Sequence, residues 1–189
     1  MTFGAVILAA GASRRMGFPK PLLRIDGELL GDRMLRIFRQ CCSHVVIVLR
    51  DESLADQLSQ PAIPVVNPAP EQGQLSSLQC GLLALPPMLD GVFFTPVDYP
   101  ALDPETPLLL ASAFRQDDAV LAPAYDGQRG HPVLIAARVV PKLLALNEGA
   151  AARDVIRAEN VRSIATSDRG ILHDVDTPED LNRVAEVSL

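Results

Sequence analysis

Short apolar runs alternate with longer mixed stretches along the whole chain. The runs Gly4–Leu8, His44–Leu49, Ile63–Val66, Gly91–Thr95, Ala119–Ala122, His131–Ile135 and Val161–Ala165 are bounded by turn-forming residues, which predicts buried strands. Between and after them, Leu30–Gln40, Ser53–Gln60, Leu75–Leu85, Pro104–Arg115, Arg138–Leu146, Ala150–Ala158 and Pro178–Val187 have the length and composition of helices. The last has clear start chemistry: Thr177 as N-cap, Pro178 at the first helical position, then Glu179 and Asp180. Strands alternating with helices imply βαβ units and a mostly parallel, Rossmann-like sheet. The expected fold is therefore α/β: one three-layer αβα domain over residues 1–189. The stretch Asp126–Ile135 breaks the alternation with Gly, Arg and Pro before a strand. It is expected to pair antiparallel at a sheet edge or to form a small element over the cleft.

Composition narrows the function classes. A chain of 189 residues with 48% apolar content suits one domain with a sizeable core. Its formal net charge of −6 argues against nucleic acid or an anionic membrane as partner. No apolar run approaches the roughly 20 residues that span a bilayer, and the N-terminal run lacks the form of a signal peptide. The three cysteines, Cys41, Cys42 and Cys80, fit neither a disulfide framework nor a zinc spacing, so a reducing, cytoplasmic setting is expected.

In an open α/β sheet, ligands sit beyond the carboxyl ends of the strands, so the residues just after each strand are read for chemistry. After the first strand come Leu8-Ala9-Ala10-Gly11-Ala12-Ser13-Arg14-Arg15-Met16-Gly17-Phe18-Pro19-Lys20. The small residues allow close backbone approach, and Arg14, Arg15 and Lys20 add local positive charge to an acidic chain. That combination suits a polyphosphate. No Gly-Lys-Ser/Thr follows, so this is not a Walker A loop. Gly11 and Gly17 stand alone, so it is not a dinucleotide fingerprint either.

Two acidic segments are candidates for holding a cation. Pro96-Val97-Asp98-Tyr99-Pro100 puts a carboxylate at a strand end between prolines. Asp174-Val175-Asp176-Thr177-Pro178 puts two more beside a helix start, where Asp is also ordinary capping chemistry. Asp98 and Asp176 are the expected pair, with Asp174 in reserve. Mg²⁺ takes one or two carboxylates plus waters and phosphate oxygens, which matches two well-separated aspartates. Gly73-Gln74-Leu75-Ser76-Ser77 reads as a helix start whose free N–H groups and hydroxyls suit a base or ribose. Taken alone, that stretch reads first as a plain capped helix start. Arg129-Gly130-His131-Pro132 lies in a surface loop and is a candidate acceptor side.

These segments together resemble the nucleotidyltransferase family that includes molybdenum cofactor cytidylyltransferase and its guanylyl-transferring relatives. Leu8-Ala-Ala-Gly-x3-Arg15-Met-Gly-x2-Lys20 looks like its signature, and the matches run from residue 5 to about 181. The resemblance implies a GT-A-type fold and transfer of a nucleoside monophosphate to an acceptor phosphate, with release of pyrophosphate. It implies Mg²⁺ on Asp98, and the Asp174–Asp180 segment resembles the family's C-terminal Asp-Ile-Asp-Thr-Pro-Glu-Asp. Leu8, Ala9, Ala10, Gly11, Arg14, Arg15, Lys20, Gly73, Ser77 and Asp98 are then the nucleotide-binding set. Arg15, Lys20 and Asp98 are its catalytic members, and Ser77 falls where relatives place a serine against the base. Arg129, Gly130 and His131 resemble the family's Arg-Gly-His-Pro segment.

Ala10, where the guanine-using branch usually has glycine, favours CTP. The acceptor expected is a molybdopterin-type molecule, and a molybdoenzyme would receive the product. The alternatives are a guanylyltransferase, a sugar-phosphate nucleotidyltransferase, and a catalytically silent nucleotide-binding carrier.

Overall fold

The structure is a computed structural model, and it describes residues 1–181. Ten strands form in chain order: β1 (Phe3–Ala9), β2 (Arg24–Ile25), β3 (Glu28–Leu29), β4 (His44–Leu49), β5 (Ile63–Val66), β6 (Gly91–Pro96), β7 (Val120–Tyr125), β8 (Gln128–Arg129), β9 (Val133–Ala136) and β10 (Val161–Ala165). The helices with bounds among the described residues are α1 (Leu30–Phe38), α2 (Gln74–Leu83), α3 (Glu105–Ala113), α4 (Val140–Leu144) and α5 (Ala152–Ala158). The main sheet runs β10-β7-β9-β6-β1-β4-β5, with β8 also paired to β7. β5, β4, β1 and β6 are mutually parallel, as are β7 and β10. This is the mostly parallel, single-domain sheet with flanking helices that the alternation of runs predicts. α1 and α2 pack on β1 and β4, and α3 packs on β7. No helix among the described residues is long and apolar enough to cross a membrane.

β1 lies inside the sheet between β6 and β4, and all seven of its residues are buried, as a strand covered on both faces requires. Phe3 and Phe38 bracket Phe93 on β6 at ring separations of 5.9 and 5.6 Å, which fastens α1 and both strands into one core.

Four elements differ from the sequence reading. Ser53–Gln60 is no α-helix: Glu52–Gln57 forms 3₁₀ turns that begin where the Asp51 carboxylate accepts the Ser53 N–H at 2.8 Å. Arg138–Leu146 starts as a 3₁₀ turn at Ala137–Val139 and becomes helical only at Val140, because Pro141 has no N–H for an i−4 bond. The strand read as His131–Ile135 begins at Val133, since Pro132 cannot donate to a ladder. Finally, the antiparallel piece is not confined to an edge. Asp126 and Gly127, at φ 48° and 79°, make the two-residue turn of a hairpin between β7 and β8. The returning chain continues into β9, which lies inside the sheet between β7 and β6, antiparallel to both. The helix expected over Pro178–Val187 opens at Pro178, and 182–187 lie outside the described residues.

The reversed direction of β9 matters for the site. Its first residue, Val133, pairs with Phe94 near the carboxyl end of β6. His131, just before it, is therefore brought to the end of the sheet where Asp98 follows β6.

Candidate functional site

The loop after β1 is held from several sides. The Gly17 N–H bonds the Ser13 carbonyl at 2.9 Å, and the Lys20 N–H reaches Ser13 Oγ at 3.4 Å. Lys20 then opens a single turn, Lys20–Leu22, whose Pro21 and Leu22 are buried. The lysine thus rises from a packed base. The loop after β6 is tied to the end of β1 by the Val97 N–H on the Leu8 carbonyl, 3.0 Å. The C-terminal acidic segment is stitched to that loop in turn, its Val175 N–H on the Asp98 carbonyl at 2.9 Å.

These ties gather residues far apart in sequence. Lys20 Nζ lies 2.7 Å from Asp98 Oδ2 and 2.6 Å from Asp176 Oδ1. Arg15 pairs with the other oxygen of Asp176 at 2.9 Å. Asp98, Asp174 and Asp176 each present an oxygen within 4.8 Å of the others, so Asp174 joins the pair read from sequence. Burial pushes the Asp98 carboxyl above the usual range, and Lys20 only partly offsets it. Hydrogen bonding from Lys20 holds Asp176 below that range. For Lys20 itself burial lowers the pKa, but its bonds to Asp176 and Asp98 outweigh that, and the net direction is upward. The ammonium is therefore charged at neutral pH.

The donor set can be tested for fit to a divalent cation. Asp98 Oδ1 is buried and has no hydrogen-bond partner among the described residues. A buried, unpaired carboxylate oxygen is costly, and a hard cation coordinated by oxygens removes that cost. Two further carboxylates stand within reach, so Asp98, Asp174 and Asp176 fit the group.

The same residues line a cavity of about 460 Å³. Leu8, Ala9, Ala10, Gly11, Arg14, Arg15, Lys20, Gly73, Ser77, Asp98 and Asp176 all border it, so every nucleotide-side candidate reaches one space. Beside it lies a cavity of about 380 Å³ that shares Leu8, Gly73 and Gln74 and is walled mainly by apolar side chains. His131 lines this second space, between Tyr99 at 5.1 Å and Phe94 at 6.2 Å. Its Nδ1 is buried without a partner among the described residues, and burial lowers its pKa to about 4, so the ring is neutral.

The other acceptor-side candidates are placed differently. Arg129 is exposed and its guanidinium is held on β10, by Ser163 Oγ at 2.8 Å and the Val161 carbonyl at 3.1 Å. It borders neither cavity. Gly130 is where the backbone passes the Ile171 carbonyl so closely that a β-carbon would collide with it. That contact seats His131, whose N–H bonds Ile171 O at 3.0 Å. Sequence reasoning missed the apolar members of the second cavity, among them Leu75, Leu78, Phe94 and Ile156, and also Arg153 at its border. They come from separate elements and carry no local motif.

Comparison with known proteins identifies the family. Residues 5–164 match the family described as MobA-like NTP transferase domain. The molybdenum cofactor cytidylyltransferase of Escherichia coli K12 is 28% identical over 93% of this chain and 91% of its own. A probable molybdenum cofactor guanylyltransferase of Synechococcus elongatus is 42% identical, over 43% of this chain and 44% of its own. Among solved structures, Rv0371c of Mycobacterium tuberculosis H37Rv superposes with a TM-score of 0.83 at 23% identity, covering 98% of this chain and 99% of that one. The same protein in complex with manganese gives 0.78 at 22%, with the same coverage. At that identity, the likeness speaks for the fold.

Proposed function

The chain belongs to the MobA-like NTP transferase domain family, and from that premise we propose that it transfers CMP from CTP to the phosphate of a molybdopterin-type acceptor. One observation carries the reading: Lys20, Asp98 and Asp176 converge in a cavity that also reaches the Leu8–Gly11 loop and Ser77. Such a space offers cationic contacts to phosphates, carboxylates to a cation and a hydroxyl to a base.

In the proposed reaction an acceptor phosphate oxygen attacks the α-phosphorus. The bond from that phosphorus to the bridging oxygen breaks, and pyrophosphate leaves with the electron pair. The nucleophile is already anionic near neutral pH, so positioning and charge neutralisation are what the protein must supply. Lys20 and Arg15 hold the pyrophosphate portion, with Arg14 at the cavity rim. Asp98, with Asp176 and Asp174, would hold Mg²⁺. Bound there, Mg²⁺ would neutralise phosphate charge as it develops. Ser77 faces the base and Gly73 its entry. The acceptor approaches from the His131 side, where an apolar space suits a flat ring system. A molybdoenzyme is the expected recipient of the product.

Ala10 favours cytosine, because a side chain where relatives using guanine carry glycine leaves less room. The guanylyl alternative keeps one observation in its favour, the 42% identity to a probable guanylyltransferase over part of the chain. The decisive assay is pyrophosphate release with each of four ribonucleotides, with and without molybdopterin. CTP with molybdopterin is expected to be the productive pair, and Ala10→Gly to narrow the gap to GTP. Equal use of GTP by the wild type, or acceptance of a sugar phosphate in place of molybdopterin, overturns the assignment.

A further inference from the structure

Behind the nucleotide-side cavity lies a buried polar knot whose proton arrangement is determined by its connections. Asn67 is 1% exposed and its backbone N–H is fixed on the Leu49 carbonyl at 2.9 Å, at the end of β4. Its side-chain oxygen accepts the Ala69 N–H at 2.9 Å. A backbone N–H can only donate, so this contact identifies the oxygen and leaves the amide nitrogen pointing the other way. That nitrogen has two protons and two partners, Ser76 Oγ at 2.8 Å and Ser77 Oγ at 2.9 Å. Cys80 Sγ stands 3.8 Å from the Asn67 oxygen, a weak extra donor on the same side as Ala69.

Both serine oxygens are therefore acceptors toward Asn67, and each hydroxyl proton must go elsewhere. Ser76 spends its proton locally, with the Gly73 and Ala69 carbonyls at 3.0 and 3.1 Å. The Ser77 proton meets no acceptor among the described residues. Ser77 is 5% exposed and borders the cavity that contains Lys20 and Asp98. Its hydroxyl is thus turned outward as a donor.

Resting on the nucleotidyltransferase reading above, we infer that Asn67 is a specificity-positioning residue: it locks the Ser77 hydroxyl as a hydrogen-bond donor to the nucleotide base. A free serine either donates or accepts and tolerates both kinds of base edge. With Asn67 on one of its two lone pairs, Ser77 keeps its proton for the cavity, so it rewards an acceptor there, such as O2 or N3 of cytosine, and a base edge without one leaves that proton unmatched. Discrimination arises because an unmatched buried polar group costs more than a matched one returns. Asn67 touches no base itself. It acts through Ser77.

The test separates base recognition from phosphate binding by using two probes, CTP and inorganic tripolyphosphate, in calorimetric titrations with Mg²⁺. Asn67→Asp keeps the shape and still accepts from Ala69, but it cannot donate, so both serine protons turn inward. CTP affinity is expected to fall about tenfold, the upper range for one lost hydrogen bond, while tripolyphosphate affinity stays within about twofold. In a Ser77→Ala background the same change should alter CTP affinity by less than about twofold, since the group it acts through is gone. Asn67→Ala serves if the buried carboxylate prevents folding: it frees the Ser77 hydroxyl without reversing it, so a smaller loss of CTP affinity, about threefold, is expected, with tripolyphosphate again unchanged. A parallel loss for tripolyphosphate, or a full loss that persists without the Ser77 hydroxyl, overturns the inference and makes Asn67 a structural residue only. Wild-type protein that binds CTP no better than tripolyphosphate overturns the base pocket itself. CTP affinity that Asn67→Asp leaves within about twofold of the wild type overturns the positioning role alone.

Discussion

The two adjoining cavities share one wall and are otherwise opposites. The larger gathers Arg14, Arg15, Lys20, Asp98 and Asp176. Its neighbour has Leu75, Leu78, Phe94, Val133 and Ile156, with a neutral His131 and an Arg153 at its border. The first rewards a ligand by charge, which depends on salt and on exact placement. The second rewards it by area removed from water, at about 25 cal/mol per Å². The proposed reaction, between a nucleoside triphosphate and a larger, partly flat acceptor, uses both kinds of reward. Disabling one side should therefore spare the other.

The largest effect is expected on the charged side. Asp98→Ala should lower turnover by about 10²–10³ or more, while circular dichroism and the melting curve remain those of a folded protein. Near wild-type turnover in a folded variant would remove the carboxylate from the mechanism. Next come the cations. Lys20→Ala should reduce triphosphate affinity more than Arg15→Ala, because the Lys20 side chain is 13% exposed and the Arg15 side chain 72%. Added salt should weaken binding in the wild type, and more gently in each variant. Identical affinities and salt slopes in all three proteins would dissolve the phosphate-loop reading.

The apolar side is probed by acid. His131 titrates near 6.5 when unfolded and at about 4 in the folded chain, because burial disfavours its charged form. Below pH 6.5 the unfolded state takes up the proton first, so stability falls between pH 6.5 and 4 and is unaffected by this group above that window. His131→Asn should flatten that part of the profile. Denaturation curves for the two proteins that fall in parallel there would show that His131 is not held neutral. The smallest effect is expected at Arg129, which is engaged on β10. Arg129→Ala should leave turnover within about twofold and cost under about 1 kcal/mol, as exposed polar contacts do. A turnover loss of tenfold would return Arg129 to the acceptor side.

The contrast also explains what the sequence could disclose. The charged site is assembled from contiguous segments, and residues 8–20, 96–100 and 174–180 each look unusual when read alone. The strands were legible for the same reason, since Val6 to Leu8 or Val45 to Leu49 announce burial by their own composition. The apolar cavity takes one or two residues from each of several elements, and a single Leu or Ile carries no trace of which cavity it borders. The hairpin is legible in part: Tyr125-Asp126-Gly127-Gln128 carries the Asp-Gly pair of a two-residue turn, which gives antiparallel pairing but not that the returning strand enters the sheet between β7 and β6. Asp174 could be placed only by its tertiary surroundings, because alternate residues in an extended stretch give direction without giving distance.

The contact between Lys20 and Asp176 spans 156 positions in the sequence, and that between Lys20 and Asp98 spans 78. An unfolded chain would have to close both loops to bring these groups together, and the loop-closure entropy is recovered only when the sheet between them is complete. No partly folded fragment presents the cluster. Whatever ligand the cluster holds thus binds the native state and not the unfolded one, and stabilises it by about 2.7 kcal/mol at a hundredfold excess over its dissociation constant. On the proposed function the substrate pool is therefore itself a stabiliser of the fold, and depletion of nucleotide raises the unfolded fraction open to proteolysis.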